Sequence, residues 1–79
     1  MDNYIYKWFA DKLDVNVEEI IKNENDNYFN LEWIDSFDFM NLISDIEENF
    51  NIEFSSDEFQ DRKFSTVRGL TQILEEKYQ

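Results

Sequence analysis

Apolar residues at positions 39, 42, 43, 46 and 50 repeat with the period of a helix that buries one face and wets the other. This run constrains the chain more than any other feature, because it fixes a helix over about 36–50 and the face on which a core must form. Asp35 stands at its mouth as the N-cap, with Asp38 three residues on in a variant of the capping box. Asn49-Phe50-Asn51 closes it, since asparagine tolerates the left-handed conformation at a helix end. Two further segments carry the same period. Ile5, Trp8, Phe9 and Leu13 predict a helix over roughly 2–14, and Val67, Leu70, Ile73 and Leu74 predict a last helix that opens at Ser65 or Thr66 and runs to about 77. Gly69 lies inside that last helix at a cost of roughly 1 kcal/mol relative to alanine, and a close helix–helix approach is one reason to keep it.

The intervening stretches are weaker. Asn16 is expected to cap a short turn through Val17-Glu18-Glu19-Ile20-Ile21. Residues 22–34 have no sustained period and many asparagines, so they read as a long loop pinned to the core by Tyr28, Phe29, Leu31 and Ile34. The spacing Asn23-x-Asn25-x-Asn27 does not make a calcium loop, because Tyr28 stands where glycine is needed and Ile34 where a bidentate glutamate is needed. Ile52-Glu53-Phe54 is extended, and Ser55-Ser56-Asp57-Glu58-Phe59 reads as a cap with one short helical turn. The expected fold is all-α: a small four-helix bundle of three main helices plus one short one, with a long first loop, in a single domain over 1–79.

Charge and missing residue types narrow the function. The chain has 19 acidic and 7 basic residues, a net charge of −12, and no basic residue between positions 23 and 61. That field repels nucleic acid and anionic membranes and attracts basic protein surfaces or divalent cations. A hydrophobic share of 42%, with 18% aromatic, argues for a packed core rather than disorder. The chain has no cysteine and no histidine, which removes thiol nucleophiles, imidazole bases and the common zinc ligands. No resident metal is expected. Neither a signal peptide nor a span-length apolar run is evident, so a cytoplasmic monomer is expected.

Ser36 is the candidate functional residue. It sits in the first turn of the central helix, where unpaired N–H groups and the helix dipole favour a phosphate group. Read alone, a serine after aspartate is most simply part of a cap. A hydrolytic role has no support, since no histidine exists and no lysine lies nearby in sequence to act as base. The outer face of the helix is acidic, through Asp45, Glu47 and Glu48, yet it also carries Phe37 and Met40 beside Ser36. Apolar residues rimmed by charge suit a docking patch. Trp8, Phe9, Phe39, Phe50, Phe54 and Phe64 read as core.

Asp35-Ser36-Phe37-Asp38 resembles the Asp-Ser-Leu-Asp motif of acyl carrier proteins. Leu42-Ile43-x-x-Ile46-Glu47-Glu48-x-Phe50-x-Ile52-Glu53-Phe54 resembles that family's helix and the extended piece after it, and Phe64-Ser65-Thr66-Val67 its last-helix opening. Leu13-Asp14-Val15-x-x-Glu18-Glu19-Ile20 resembles the stretch that leaves its first helix. The resemblance implies a non-enzymatic carrier. A phosphopantetheinyl transferase would attach 4′-phosphopantetheine from coenzyme A to Ser36, with Asp35 and Asp38 in support and Asp35 helping the transferase position its metal ion. Acyl or aminoacyl groups would then ride as thioesters on the arm, presented to loading and transfer enzymes with basic surfaces. It also implies that some core aromatics line a cavity for an acyl chain. Trp33 stands where the family often has glycine, and Asn41 and Ser44 where it often has an acid and an apolar residue, which suggests a carrier dedicated to one pathway. Asp-Ser-Phe, with Phe59-x-Asp61-Arg62-Lys63, also resembles the D-alanyl carrier proteins of cell-wall modification. The reading from another class is an acidic interaction protein with this fold and no prosthetic group.

Overall fold

The computed structural model describes residues 4–78. Three long helices carry the fold: α1 (Tyr4–Leu13), α3 (Ser36–Phe50) and α5 (Val67–Tyr78). Two short ones, α2 (Val17–Lys22) and α4 (Ser56–Phe59), and a 3₁₀ turn (Arg62–Ser65) lie between them, and no strand occurs among the described residues. None of the helices described is long and apolar enough to cross a membrane. The all-helical expectation holds. The helix start expected at Met1–Asn3 lies outside the described residues.

Each long helix buries the stripe its period marks. Ile5 and Phe9 of α1, Leu42, Ile43 and Ile46 of α3, and Val67, Leu70, Ile73 and Leu74 of α5 form one core with Ile20, Tyr28, Ile34, Phe54 and Phe64. Trp8, Phe39 and Phe50 are half-buried rather than enclosed. Helices α1 and α3 run antiparallel, since three contacts follow in opposite order along the two. Lys12 meets Asp38, the Trp8 indole donates to Asp45 at 2.9 Å, and the Asn49 amide donates to the Tyr4 hydroxyl at 3.0 Å.

The helix ends follow local chemistry with two departures. Asn51 ends α3 at φ 54°, ψ 49°, its N–H on the Glu47 carbonyl, as expected of asparagine. Ser55 and Glu58 form a reciprocal capping box on α4. Asn16 precedes α2, but its side chain makes no capping bond; the acids Glu18 and Glu19 in the first turn are what suit that end. The last helix begins at Val67, because Thr66 is the cap, accepting from Gly69 N at 3.0 Å, while Ser65 belongs to the 3₁₀ turn. Gly69 faces the backbone of that turn, at Lys63, rather than another helix.

The long first loop is tightly tethered. Tyr28 is fully buried, its hydroxyl donates to the Phe64 carbonyl, and its N–H donates to the Ser65 carbonyl at 2.9 Å. Arg68 N donates to the Glu24 carbonyl at 3.0 Å, which ties the loop's start to α5. The Asn27 carboxamide oxygen accepts from the N–H groups of Phe29 and Asn30, so it serves a turn. Ile34 is buried and Phe29 packs on the core, but Leu31 is 37% exposed and does not pin the loop. Tyr28→Phe keeps the ring and strands the buried Phe64 carbonyl. It is expected to cost about 1–3 kcal/mol, read as a lower urea midpoint at unchanged slope.

Candidate functional site

The N-terminus of α3 is closed by a reciprocal pair of aspartates. Asp38 N–H donates to the Asp35 carboxylate at 2.8 Å, and Asp35 N–H donates to the Asp38 carboxylate at 3.4 Å. Asp35 takes an extended backbone, φ −105° and ψ −175°, so the chain turns sharply into the helix at Ser36. Ser36 is exposed, and no hydrogen bond from its hydroxyl occurs among the described residues. The N–H groups of Ser36 and Phe37 precede the first intrahelical bond, that of Phe39 N to Asp35 O at 2.9 Å.

Lys12 is the site residue that sequence reading missed. No base lies near the tetrad in sequence, but the antiparallel packing of α1 brings Lys12 Nζ to 2.9 Å from an Asp38 oxygen. The only signal was its place in the last turn of α1, on the helix that crosses α3. The contact has two effects. It offsets one negative charge beside Ser36, and it holds the Asp38 carboxyl below the ordinary value of 3.8, with help from the Asp35 N–H.

A depressed carboxylate favours folding above its unfolded pKa, and that contribution is lost as pH falls through the lower folded value. The stability gap between wild type and Asp38→Asn is therefore expected to be full above pH 3.8 and to close below it. Measuring the difference cancels the repulsion of the highly acidic chain, which both proteins share. Urea midpoints between pH 7 and 3 check it, and a gap constant over that range would refute it. Glu58, lowered by the Ser55 N–H and by Lys77, gives an independent second case.

The outer face of α3 divides in two. Phe37 and Met40 are 72% and 68% exposed, and Glu48 is exposed with them. Asp45 and Glu47 are half-buried, and their carboxylates serve the fold: Asp45 accepts from Trp8, and Glu47 accepts from Phe54 N at 3.0 Å. Sequence spacing places all five on one face, but it does not reveal that two carboxylates are engaged.

Two hollows flank this surface. A recess of about 470 Å³ opens beside Ser36, lined also by Phe29, Trp33, Asp35 and Asp38. Trp33 is half-buried, its ring 5.9 Å from that of Phe9. It thus forms a fixed wall where a glycine would leave open space. A smaller hollow of about 160 Å³ lies between α3 and α4, lined by Phe39, Met40, Ile43, Ser44 and Phe59.

An exposed hydroxyl at a helix start, with free N–H groups and open space beside it, fits covalent attachment of a phosphate-linked arm. A protein-family model described as the phosphopantetheine attachment site matches residues 3–74. No curated protein and no solved structure matches the chain.

Proposed function

Since the chain belongs to the phosphopantetheine-attachment family of carrier proteins, we propose that Ser36 is the residue that takes its 4′-phosphopantetheine. The observation that carries this is the exposed, unengaged hydroxyl of Ser36 held at the start of α3 by the Asp35–Asp38 box. Asp35 and Asp38 fix the backbone turn, and Lys12 reduces the negative charge that an incoming phosphate meets. The bound arm supplies a thiol on which acyl or aminoacyl groups are held as thioesters. Phe37, Met40 and Glu48 form the surface that a phosphopantetheinyl transferase and the loading and transfer enzymes recognise, an apolar pair rimmed by acids and suited to basic partners. Asp45 and Glu47 add charge there while bracing the helix from behind.

Intact mass after incubation with a broad-specificity transferase, Mg²⁺ and coenzyme A tests the assignment, with fragmentation to locate the group. One added phosphopantetheine on the peptide that contains Ser36 is expected. A folded sample that stays unmodified with two unrelated transferases would favour an interaction protein that keeps the fold and takes no arm.

A further inference from the structure

The recess of about 470 Å³ at the start of α3 is lined by Ser36, by the aromatic residues Phe29 and Trp33, and by carboxylates. Phe29 and Trp33 are half-buried, and core rings brace both. The Phe29 ring stands 5.0 Å from that of Tyr28 and 5.5 Å from that of Phe39, and the Trp33 ring stands 5.9 Å from that of the fully buried Phe9. The backbone holds Trp33 as firmly. Its N–H donates to the carbonyl of buried Tyr28 at 3.1 Å. Glu32, just before it, takes a left-handed conformation, φ 60°, with its N–H on the Phe29 carbonyl at 3.1 Å. Glutamate adopts that region only under strain, which the tethered loop supports.

The polar groups around the recess differ in what they already do. Asp35 and Asp38 are committed to the capping box, and Asp38 also to Lys12. Glu32 is exposed, and its carboxylate has no ion-pair or hydrogen-bond partner among the described residues. The Trp33 indole N–H is also unpaired among the described residues and is not sealed from solvent, whereas that of Trp8 is bound to Asp45. The lining residues therefore offer two braced aromatic rings, one open donor and one open acceptor beside Ser36.

We infer that Trp33 and Phe29 seat the phosphopantetheine arm in this recess, rather than the hollow between α3 and α4 receiving it. The inference rests on the assignment of Ser36 and goes beyond it by naming what the arm touches. The chemistry of the arm fits in order along its length. Its phosphate is an anion, which the carboxylates disfavour within the recess and the free N–H groups of Ser36 and Phe37 favour at the helix start. The next segment carries two methyl groups on one carbon, apolar surface suited to an indole and a phenyl ring. Beyond it lie two amides, whose N–H groups and carbonyls match the open Glu32 carboxylate and the open Trp33 N–H. A short covalent tether gives an effective concentration of about millimolar, so contacts too weak to hold free pantetheine suffice. The hollow between α3 and α4 is smaller, about 160 Å³, and Ser36 does not line it. Trp33 thus governs how readily the arm leaves the surface for a partner enzyme.

The test uses the full chain, uniformly isotope-labelled, loaded with an unlabelled arm from coenzyme A and checked by intact mass. Isotope-filtered nuclear Overhauser spectra then read which protein protons lie beside the methyl groups of the arm. Cross-peaks to the ring protons of Trp33 and Phe29 are expected, with the Trp33 indole peak displaced from its place in the unloaded protein. The Trp8 indole, held by Asp45, is the internal control and should not move. In loaded Trp33→Gly the cross-peaks to Phe29 should be lost, and in loaded Trp33→Phe they should persist; the spectra themselves report that each variant is folded. Failure of the wild type to load would overturn the assignment of Ser36 and this inference together. A loaded arm without cross-peaks to either ring, with cross-peaks to Phe39, Met40 and Phe59 instead, or with the same contacts in Trp33→Gly would overturn this inference alone.

Discussion

Ser36→Ala is expected to abolish phosphopantetheine transfer while leaving the fold intact. The two halves of that result have separate physical grounds. Loss of transfer follows because the hydroxyl is the acceptor in the proposed reaction and alanine offers none. Retention of the fold follows because the capping box uses the Asp35 and Asp38 side chains and backbone, with no contribution from the Ser36 side chain. Alanine also has the highest intrinsic helix propensity. The other hydroxyls differ in what they already do. Ser55 and Thr66 cap helices, Ser65 is half-buried in the 3₁₀ turn, Thr71 is enclosed, and Ser44 lies in mid-helix. The structural rival is Ser56, which is also exposed and also follows the first residue of a capping box. It opens a helix of only 4 residues, against 15 for α3, so its dipole is far smaller. Ser56→Ala should therefore be modified as fully as wild type, and an added mass on Ser56 would overturn the assignment of Ser36.

The sequence shows most where a local rule governs. The period of α3, the two aspartates at its start and Asn51 at its end each depend on residues within one or two turns, and the structure places them as the pattern predicts. The tether at Tyr28 is different. Its partners are the carbonyl of Phe64 and that of Ser65, and backbone acceptors leave no signature in side-chain identity. The 3₁₀ turn itself was hidden for a related reason: Arg62-Lys63-Phe64-Ser65 is too short to show a period, and Asp61 fixes it through its carboxylate on Lys63 N and its carbonyl on Phe64 N. Lys12 beside Asp38 and Trp8 on Asp45 depend on how two helices cross. Such contacts are set by the whole core, so a single chain read residue by residue gives the stripe but not the partner across it.

Gly69→Ala should destabilise the fold, although it replaces glycine by the best helix former within a helix. On an exposed face the change would stabilise by about 1 kcal/mol. Here the added methyl would lie 2.4 Å from the Lys63 carbonyl oxygen, 2.7 Å from Lys63 Cα and 2.8 Å from the Thr66 hydroxyl. The hydroxyl can rotate, at the loss of its bond to Gly69 N, but the Lys63 atoms are backbone and cannot turn aside. Relief requires the 3₁₀ turn to lift away from α5. That turn carries Phe64, which is buried, and holds the Tyr28 hydroxyl and N–H, so the lift also loosens the long loop. Overpacking of this kind costs about 1–3 kcal/mol where side chains can yield, and more where backbone must. Net of helix propensity, a loss of about 2 kcal/mol would lower Tm by roughly 8–16 °C in a domain of this size. Thermal unfolding followed by far-UV circular dichroism measures it, and an unchanged or higher Tm would show that α5 does not pack on Lys63 as described. The effect on transfer to Ser36 should be small below the lowered Tm. The acceptor lies on α3, whose start is fixed by its own capping box and by Lys12, so the variant separates the stability of the frame from the chemistry of the site it presents.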